Sequence, residues 1–431
     1  MKRILVFGAG KSATFLIEYL CKACEENGWK LIVCDADIML AKSKIGNCKK
    51  AIAIAADVSN ENERKDLVQE ADIVISMLPP HLHFLVASDC LNFSKHLLTA
   101  SYIDEKIKLL SKEIEQKGLL FLCEMGLDPG IDHMSAMKII DHVKNKGGKI
   151  TSFKSHCGGL ISPESDDNPW HYKITWNPAN IVMAGSSGAV YKMSGEVVTI
   201  PYHKIFLDCK TVNVPGLFPL SWYPNRDSLS YINTYALANI DTFIRTTLRH
   251  PAFCTGWNNI VNAGLTDLND HEEIKNCKTY KDWYQQKIKT AGSSFHENDK
   301  EFNEQINYLN LNSNDAIEIE IKNSATLLQN VLEKKLAMHQ HDKDMIVMLH
   351  EIGYKINGEN KEVRSCLVVK GEDKRRTAMA KTVGLPLGIA AKLILQDKIK
   401  LSGLHIPVLP EIYEPVLNEL EKHQIKFIEE N

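Results

Sequence analysis

RILVFGAGKSATFLIEYL, residues 3–20, decides the fold. Ile4 to Phe7 are apolar, Gly8 and Gly10 follow, and apolar residues then recur at Phe15, Leu16, Tyr19 and Leu20. That order is strand, tight turn, helix. Gly8, Gly10 and Ala13 fit G-x-G-x-x-G/A. Such a turn lets the backbone approach a pyrophosphate, and the helix behind it offers N–H groups and a positive dipole end. The second strand, KLIVCD, ends on Asp35, where a carboxylate takes the adenosine ribose hydroxyls. Ala36 offers no cation to a 2′-phosphate, so the pattern favours NAD over NADP. Lys42 and Lys44 are the residues that would argue for NADP.

Working outward, the alternation continues. AIAIAADVSN, DIVISMLPP, HLLTASY and GLLFLCEM read as strands three to six, with helices between them. Strands alternating with helices at this spacing predict an α/β fold, a doubly wound parallel Rossmann sheet. Ligands bind such sheets at the C-terminal strand ends. Met77-Leu78-Pro79, Ser101-Tyr102 and Asp128 all fall there. In FLCEMGLDPGIDHM (121–134), Asp128 is therefore expected in the site and Asp132 as a cap of the following helix.

Past Gly148 the pattern changes. TSFKSHCGGL, YKITW, NIVMAG, GAVYKM and EVVTIP read as strands of an antiparallel sheet. Residues 234–343 read as a helical insertion, after which DMIVMLHEIGY and VRSCLVVKG resume strands.

Composition excludes several classes. Net charge is −3, which points to neither nucleic acid nor an anionic membrane as partner. The N-terminal apolar run is too short for a signal peptide, and no later run reads as a membrane span. Cys21 and Cys24 are spaced CKAC, but no second pair completes a zinc site, so no metal is expected. The eleven Cys read as reduced thiols of a cytoplasmic protein. The chain has 43 Lys and only eight Arg, yet Arg226, Arg245 and Arg249 lie close together in sequence. Arg grips carboxylates bidentately, so a small-molecule substrate with several carboxylates is expected. Arg245 and Arg249, four apart, would share a face of a helix.

GAGKSA, SMLP, ASY, EMGLDPGIDH, HCGGLISPESDDNPWHYKITWNP, YPNRDS, IRTTLR and AKTVGLPLGIAAKLIL occur in that order. Together they resemble the saccharopine reductase family, the glutamate-forming saccharopine dehydrogenases of lysine metabolism. The resemblance spans nearly the whole chain and weakens in the expected helical insertion. It implies interconversion of saccharopine with L-glutamate and 2-aminoadipate 6-semialdehyde, using NAD or NADP. It also implies a Rossmann domain over 1–130 with 391–431, an α+β substrate and dimerisation domain over 131–233 with 344–390, and the helical insertion at 234–343. A homodimer is the expected assembly. Fungal relatives prefer NADP and carry a cation after the second strand, where this chain has Asp35-Ala36-Asp37.

Carried over by motif, Ser101, Tyr102, Asp128, Arg226, Arg245, Thr246 and Thr247 match the family's substrate site. Gly10, Lys11, Ser12, Ala13, Asp57, Val58, Met77 and Leu78 match its cofactor positions. Cys157 falls near its reaction centre. The chemistry needs a neutral secondary amine and a group to move protons, for which Asp128, Tyr102 and Cys157 are the candidates. Two other readings stay open. One is a carboxynorspermidine synthase-like reductive coupling, which would want acidic residues in place of Arg226 or Arg245. The other is a non-catalytic NAD(P)-binding redox sensor.

Overall fold

The computed structural model describes residues 1–292 and 300–430. The chain forms two compact units: Met1–Gly147 with Arg375–Phe427, and Gly148–Lys374 with Ile428–Asn431.

In the first unit, β1 (Arg3–Phe7), β2 (Lys30–Asp35), β3 (Ala51–Ala55), β4 (Ile73–Ser76), β5 (His96–Thr99) and β6 (Leu120–Leu122) alternate with helices. All pairings are parallel, and the order is β3-β2-β1-β4-β5-β6, with Gly403–His405 added beyond β6. This is the doubly wound sheet expected from the opening residues. The order reverses between β1 and β4, where a crevice for a dinucleotide forms. β1 and β4 are almost wholly buried, as apolar strands covered on both faces must be. The helix Ala378–Leu395 packs on the helix Thr14–Asn27. By length and apolarity Ala378–Leu395 matches a membrane span, contrary to the sequence expectation, but 83% of it is buried inside this protein.

The second unit holds one mixed sheet. Its strands are β7 (Lys149–Ile161), β8 (Ala189–Met193), β9 (Glu196–Ile200), β10 (Lys210–Val212), β11 (Leu220–Pro224), β12 (Arg226–Asp227), β13 (Thr242–Arg249), β14 (Asp344–Ile356) and β15 (Glu359–Lys370). The main path is β10-β11-β13-β7-β14-β15, closed by Ile428–Glu430. β7 and β13 run parallel, while β14 is antiparallel to β7. A separate core of Trp170, Tyr172, Phe253, Trp257, Trp283 and Phe302 joins the following helices to this unit.

Several boundaries differ from expectation. Against the expected 1–130 with 391–431, the first unit keeps the helix Ile131–Asn145, takes the chain back at Arg375 and cedes Ile428–Glu430 to the second unit. The stretch 234–343 is not all helical: TFIRTTLR is β13, an interior strand. Its β-branched residues and Phe243 suit a buried pleated surface better than a helix. Helices occupy Pro251–Asn262 to Ser324–Lys335, and residues 293–299 of the expected insertion lie outside the described residues. Ala179–Val182 is a short helix, and YKITW contributes only an isolated bridge from Ile174 to Ala337. The DNPWHYK segment is scaffold. Asn168 accepts from Trp170 N at 3.0 Å and donates to Tyr172 O at 3.1 Å. Buried Lys173 donates to Asp167 and Asp342 at 2.7 and 2.8 Å.

Candidate active site

The glycine turn is built for close approach. Gly8 has φ +97°, and a Cβ there would sit 2.9 Å from the Met77 carbonyl oxygen. Only Gly allows β1 to turn so tightly beside the end of β4. A short 3-10 turn, Lys11–Ala13, then leads into the helix Thr14–Asn27, and no side chain caps either start. Those N–H groups are available for a pyrophosphate. Asp35 ends β2, with Oδ2 accepting from Ala9 N at 2.7 Å and Oδ1 from Asp37 N at 2.9 Å. The carboxylate thus stands at the edge of the turn, where ribose hydroxyls would meet it. Asp57 and Val58 follow β3. Ser59's hydroxyl and N–H hold the Asp57 carboxyl below the usual carboxylate range. The residues present therefore fit a dinucleotide. Of the two lysines in question, Lys42 is exposed, whereas Lys44 bonds to Thr14 Oγ1. Burial, then the Arg375 guanidinium, push the Lys44 ammonium down to about 8.

Two loops of the same unit carry Tyr102 and Asp128, and a buried pair ties them together. Glu124, just past β6, has φ +56° and is 5% exposed. Its Oε2 lies 2.9 Å from His133 Nε2, and its Oε1 accepts from Ile103 N at 3.3 Å. One carboxylate thus pins both the Ser101-Tyr102-Ile103 loop and the helix after Asp128. Asp128 is half-buried and its peptide to Pro129 is cis. Gly130 has φ +145°, and a Cβ there would fall 2.1 Å from the Gly126 carbonyl oxygen. Asp132 is 1% exposed, and its Oδ1 accepts from Gly130 N at 2.6 Å. It closes the loop by reaching back two residues, whereas the residue at the N-cap position is Gly130 itself.

In the second unit, strand parity sorts the expected residues. β13 pairs in register with β7, Arg245 opposite Ser155 and Thr247 opposite Cys157. Alternate residues share a face, so Arg245, Thr247, Arg249 and Cys157 line one side. Arg245 is 3% exposed and lies 4.5 Å from the Tyr231 ring. Thr247 bonds to Tyr223, whose phenol burial pushes up to about 12. Arg226 has φ +50° and is exposed on β12.

Thr246 does not join them through its side chain. It points to the opposite face, where His156 Nδ1 lies 2.7 Å from its hydroxyl. On that far face a cavity of about 560 Å³ is lined by Lys154, His156, Trp222, Glu351 and Arg364 among others. Any contact Thr246 makes with a ligand beside Arg245 passes through its backbone.

Arg249, one of the three Arg expected to face a substrate with several carboxylates but not among the residues carried over by motif, lies on the same face as Arg245. It is 6% exposed, its Nη1 donates to Leu248 O at 2.8 Å, and its Nε has no hydrogen-bond partner. No carboxylate among the described residues pairs with it. The rings of Tyr172 and Phe253 stand 5.3 and 5.6 Å away. No metal-holding cluster of His, Cys, Asp or Glu occurs among the described residues.

A β3-β2-β1-β4-β5-β6 sheet with a glycine turn, in one chain with buried arginines on a second sheet, defines an oxidoreductase that uses a nicotinamide dinucleotide. Comparison with known proteins narrows this class. Residues 4–122 match the model described as the saccharopine dehydrogenase NADP binding domain, and 126–425 match the saccharopine dehydrogenase C-terminal domain. The chain belongs to the saccharopine dehydrogenase family. It is 33% identical over 446 residues to the mitochondrial alpha-aminoadipic semialdehyde synthase of Rattus norvegicus, covering 99% of this chain and 47% of that one. Against saccharopine dehydrogenase [NADP(+), L-glutamate-forming] of Saccharomyces cerevisiae it is 30% identical, covering 97% of each. The solved apo form of the yeast L-Glu-forming saccharopine dehydrogenase superposes with a TM-score of 0.90 at 29% identity, over 100% of this chain and 99% of that one. The chain spans less than half the length of the plant and mammalian synthases it matches.

Proposed function

We propose that this chain interconverts saccharopine with L-glutamate and 2-aminoadipate 6-semialdehyde by hydride transfer. The observation that carries the reading is the face shared by Arg245, Thr247, Arg249 and Cys157, with two cations and no acid among them. Saccharopine carries three carboxylates, so cations suit it. A coupling that takes a diamine would want acids on this face, and it has none among the named residues. When bound, the nicotinamide accepts a hydride from the carbon beside the secondary amine or returns it.

The chain's own residues do the rest. Gly8, Gly10, Lys11, Ser12 and Ala13 receive the pyrophosphate, with Asp35, Asp57 and Val58 on the adenosine side and Met77 and Leu78 on the nicotinamide side. Arg226 and Arg245 hold carboxylates and so orient the reacting carbon, an effect of positioning. Asp128, Tyr102 and Cys157 are the groups that take the amine proton and manage water.

Asp35 and Ala36 support NAD, because a carboxylate at the end of β2 repels a 2′-phosphate. Lys44 and Arg375 favour the second reading, NADP, which also stands in the yeast relative's name. Initial rates with saccharopine and each cofactor, with glutamate release as readout, test both levels. A higher kcat/KM with NADP that collapses in Lys44→Ala overturns the NAD reading. No turnover with either cofactor overturns the saccharopine reading.

A further inference from the structure

His83 has no part in the function as described, yet it lies between two strand ends that do. It opens the helix His83–Asn92 and is 3% exposed. Its Nδ1 lies 2.8 Å from Ser76 Oγ and its Nε2 2.8 Å from Ser101 Oγ. Ser76 ends β4, one residue before Met77. Ser101 follows β5 and stands in the substrate loop. A third hydroxyl, Thr99 Oγ1, is 3.5 Å from Nε2 and accepts from Ser101 N at 3.2 Å. Burial pushes the ring down to about 4, against the opposing charge of Asp104 and with a small push from His81.

A neutral imidazole has one donor and one acceptor nitrogen. With hydroxyls at both ends, the ring must give a proton to one and take a proton from the other. The direction matters at Ser101. If Ser101 donates to the ring, its oxygen meets a ligand only as an acceptor. If the ring donates to Ser101, the hydroxyl hydrogen is free for an anion. Thr99 Oγ1 already accepts from Ser101 N, and a shared Nε2–H fits its remaining lone pair.

We propose that His83 is a positioning residue, neutral with its proton on Nε2, that donates to Ser101 and takes the Ser76 proton at Nδ1, so that Ser101 donates to a substrate carboxylate. The identity of that substrate rests on the saccharopine reading; the tautomer does not.

Three measurements test it. In ¹⁵N NMR of the wild-type protein, the His83 Nδ1 is unprotonated and Nε2 carries the proton. A proton on Nδ1 overturns the proposal, and this holds even if no variant folds. In kinetics, His83→Asn, whose amide reaches only the Nδ1 position, raises the saccharopine KM about 10-fold or more. The cofactor KM stays within about 2-fold. His83→Gln, whose amide nitrogen reaches the Nε2 position, recovers most of the loss. The double variant His83→Asn with Ser101→Ala is no worse than Ser101→Ala alone. Additive losses in the double variant, or equal loss in both KM values, would make His83 a packing residue. Absence of wild-type turnover sinks the saccharopine reading alone and leaves the NMR result to judge His83.

Discussion

Asp128 and Asp132 are four residues apart and stand in different surroundings. Asp128 is half-buried at the strand-end rim, whereas Asp132 is closed in and engaged with Gly130 N. Asp128→Asn keeps the shape and removes the charge, so kcat should fall at least ~10²-fold with little change in Tm. Asp132→Ala should cost about 1–3 kcal/mol of stability, because a buried N–H loses a charged acceptor. Paired kcat and melting measurements separate the two, and near-normal turnover in Asp128→Asn would pass proton transfer to Tyr102 or Cys157. Asp128's place at the rim after β6 was legible from the alternation of strands and helices. The pairing of Glu124 with His133 was not, since an acid and a His nine residues apart carry no signal of meeting until the loop between them is drawn.

His83 also sets a pH dependence. Its ring stays neutral down to about pH 4 when folded, but an unfolded chain protonates it near its ordinary 6.5. Between those values the unfolded state binds the extra proton, so stability falls as pH falls and is complete above about pH 6.5. The loss should reach roughly 3 kcal/mol by pH 4. His250, held down to about 4 by burial and by His171, which stacks on it at 3.7 Å, adds to it in the same direction. Chemical denaturation of wild type and His83→Gln from pH 4 to 7.5 checks this. An unchanged slope in the variant would assign the acid sensitivity elsewhere.

At the scale of elements, β13 departs furthest from the sequence expectation, being a strand where a helix was expected. Arg245 and Arg249 share a face on a strand as they would on a helix, because four is even and is also close to one helical turn. The shared-face argument could not tell the two apart; Phe243, Ile244 and the adjacent threonines could. On a strand the two stand about 13 Å apart along the chain rather than one above the other. Their roles should divide. Arg245→Ala should raise the saccharopine KM by about 1.5–3 kcal/mol with the cofactor KM unchanged, as expected for a charged contact. Arg249→Met removes a buried charge that has no carboxylate partner and replaces it with a chain of similar volume, so Tm should hold or rise. A fall of more than about 2 kcal/mol would show that the carbonyl and ring contacts of Arg249 stabilise the fold. Thr246 shows the converse of parity: one step along the strand moves a side chain to the far face.

At the scale of the molecule, the residues assigned to the cofactor lie in the first unit, and Arg226, Arg245 and Arg249 in the second. The preferred nicotinamide dinucleotide, added at about 100 times its Kd, should stabilise the protein by roughly 2.7 kcal/mol. Hydrogen exchange should slow around residues 8–14, 35–37, 57–58 and 77–78, while β13 keeps its apo rate. Protection confined to β13 would contradict the assignment of the glycine turn. The first unit was legible because its alternation of elements is local. Its closure was not, since the partners of the helix Thr14–Asn27 arrive more than 350 residues later.

That long return has a consequence during synthesis. The apolar side of Thr14–Asn27 is covered by Ala378–Leu395, and β6 gains its outer neighbour only at Gly403–His405. At ~5–20 residues per second, the roughly 350 residues between Thr14–Asn27 and Ala378–Leu395 take about 18–70 s to make. Nearly all of the second unit, being continuous from 148 to 374, is made within that interval. The body of the inner unit is therefore made first, lacking only its closing strand Ile428–Glu430, while the helix Thr14–Asn27 waits, half-covered, for Ala378–Leu395.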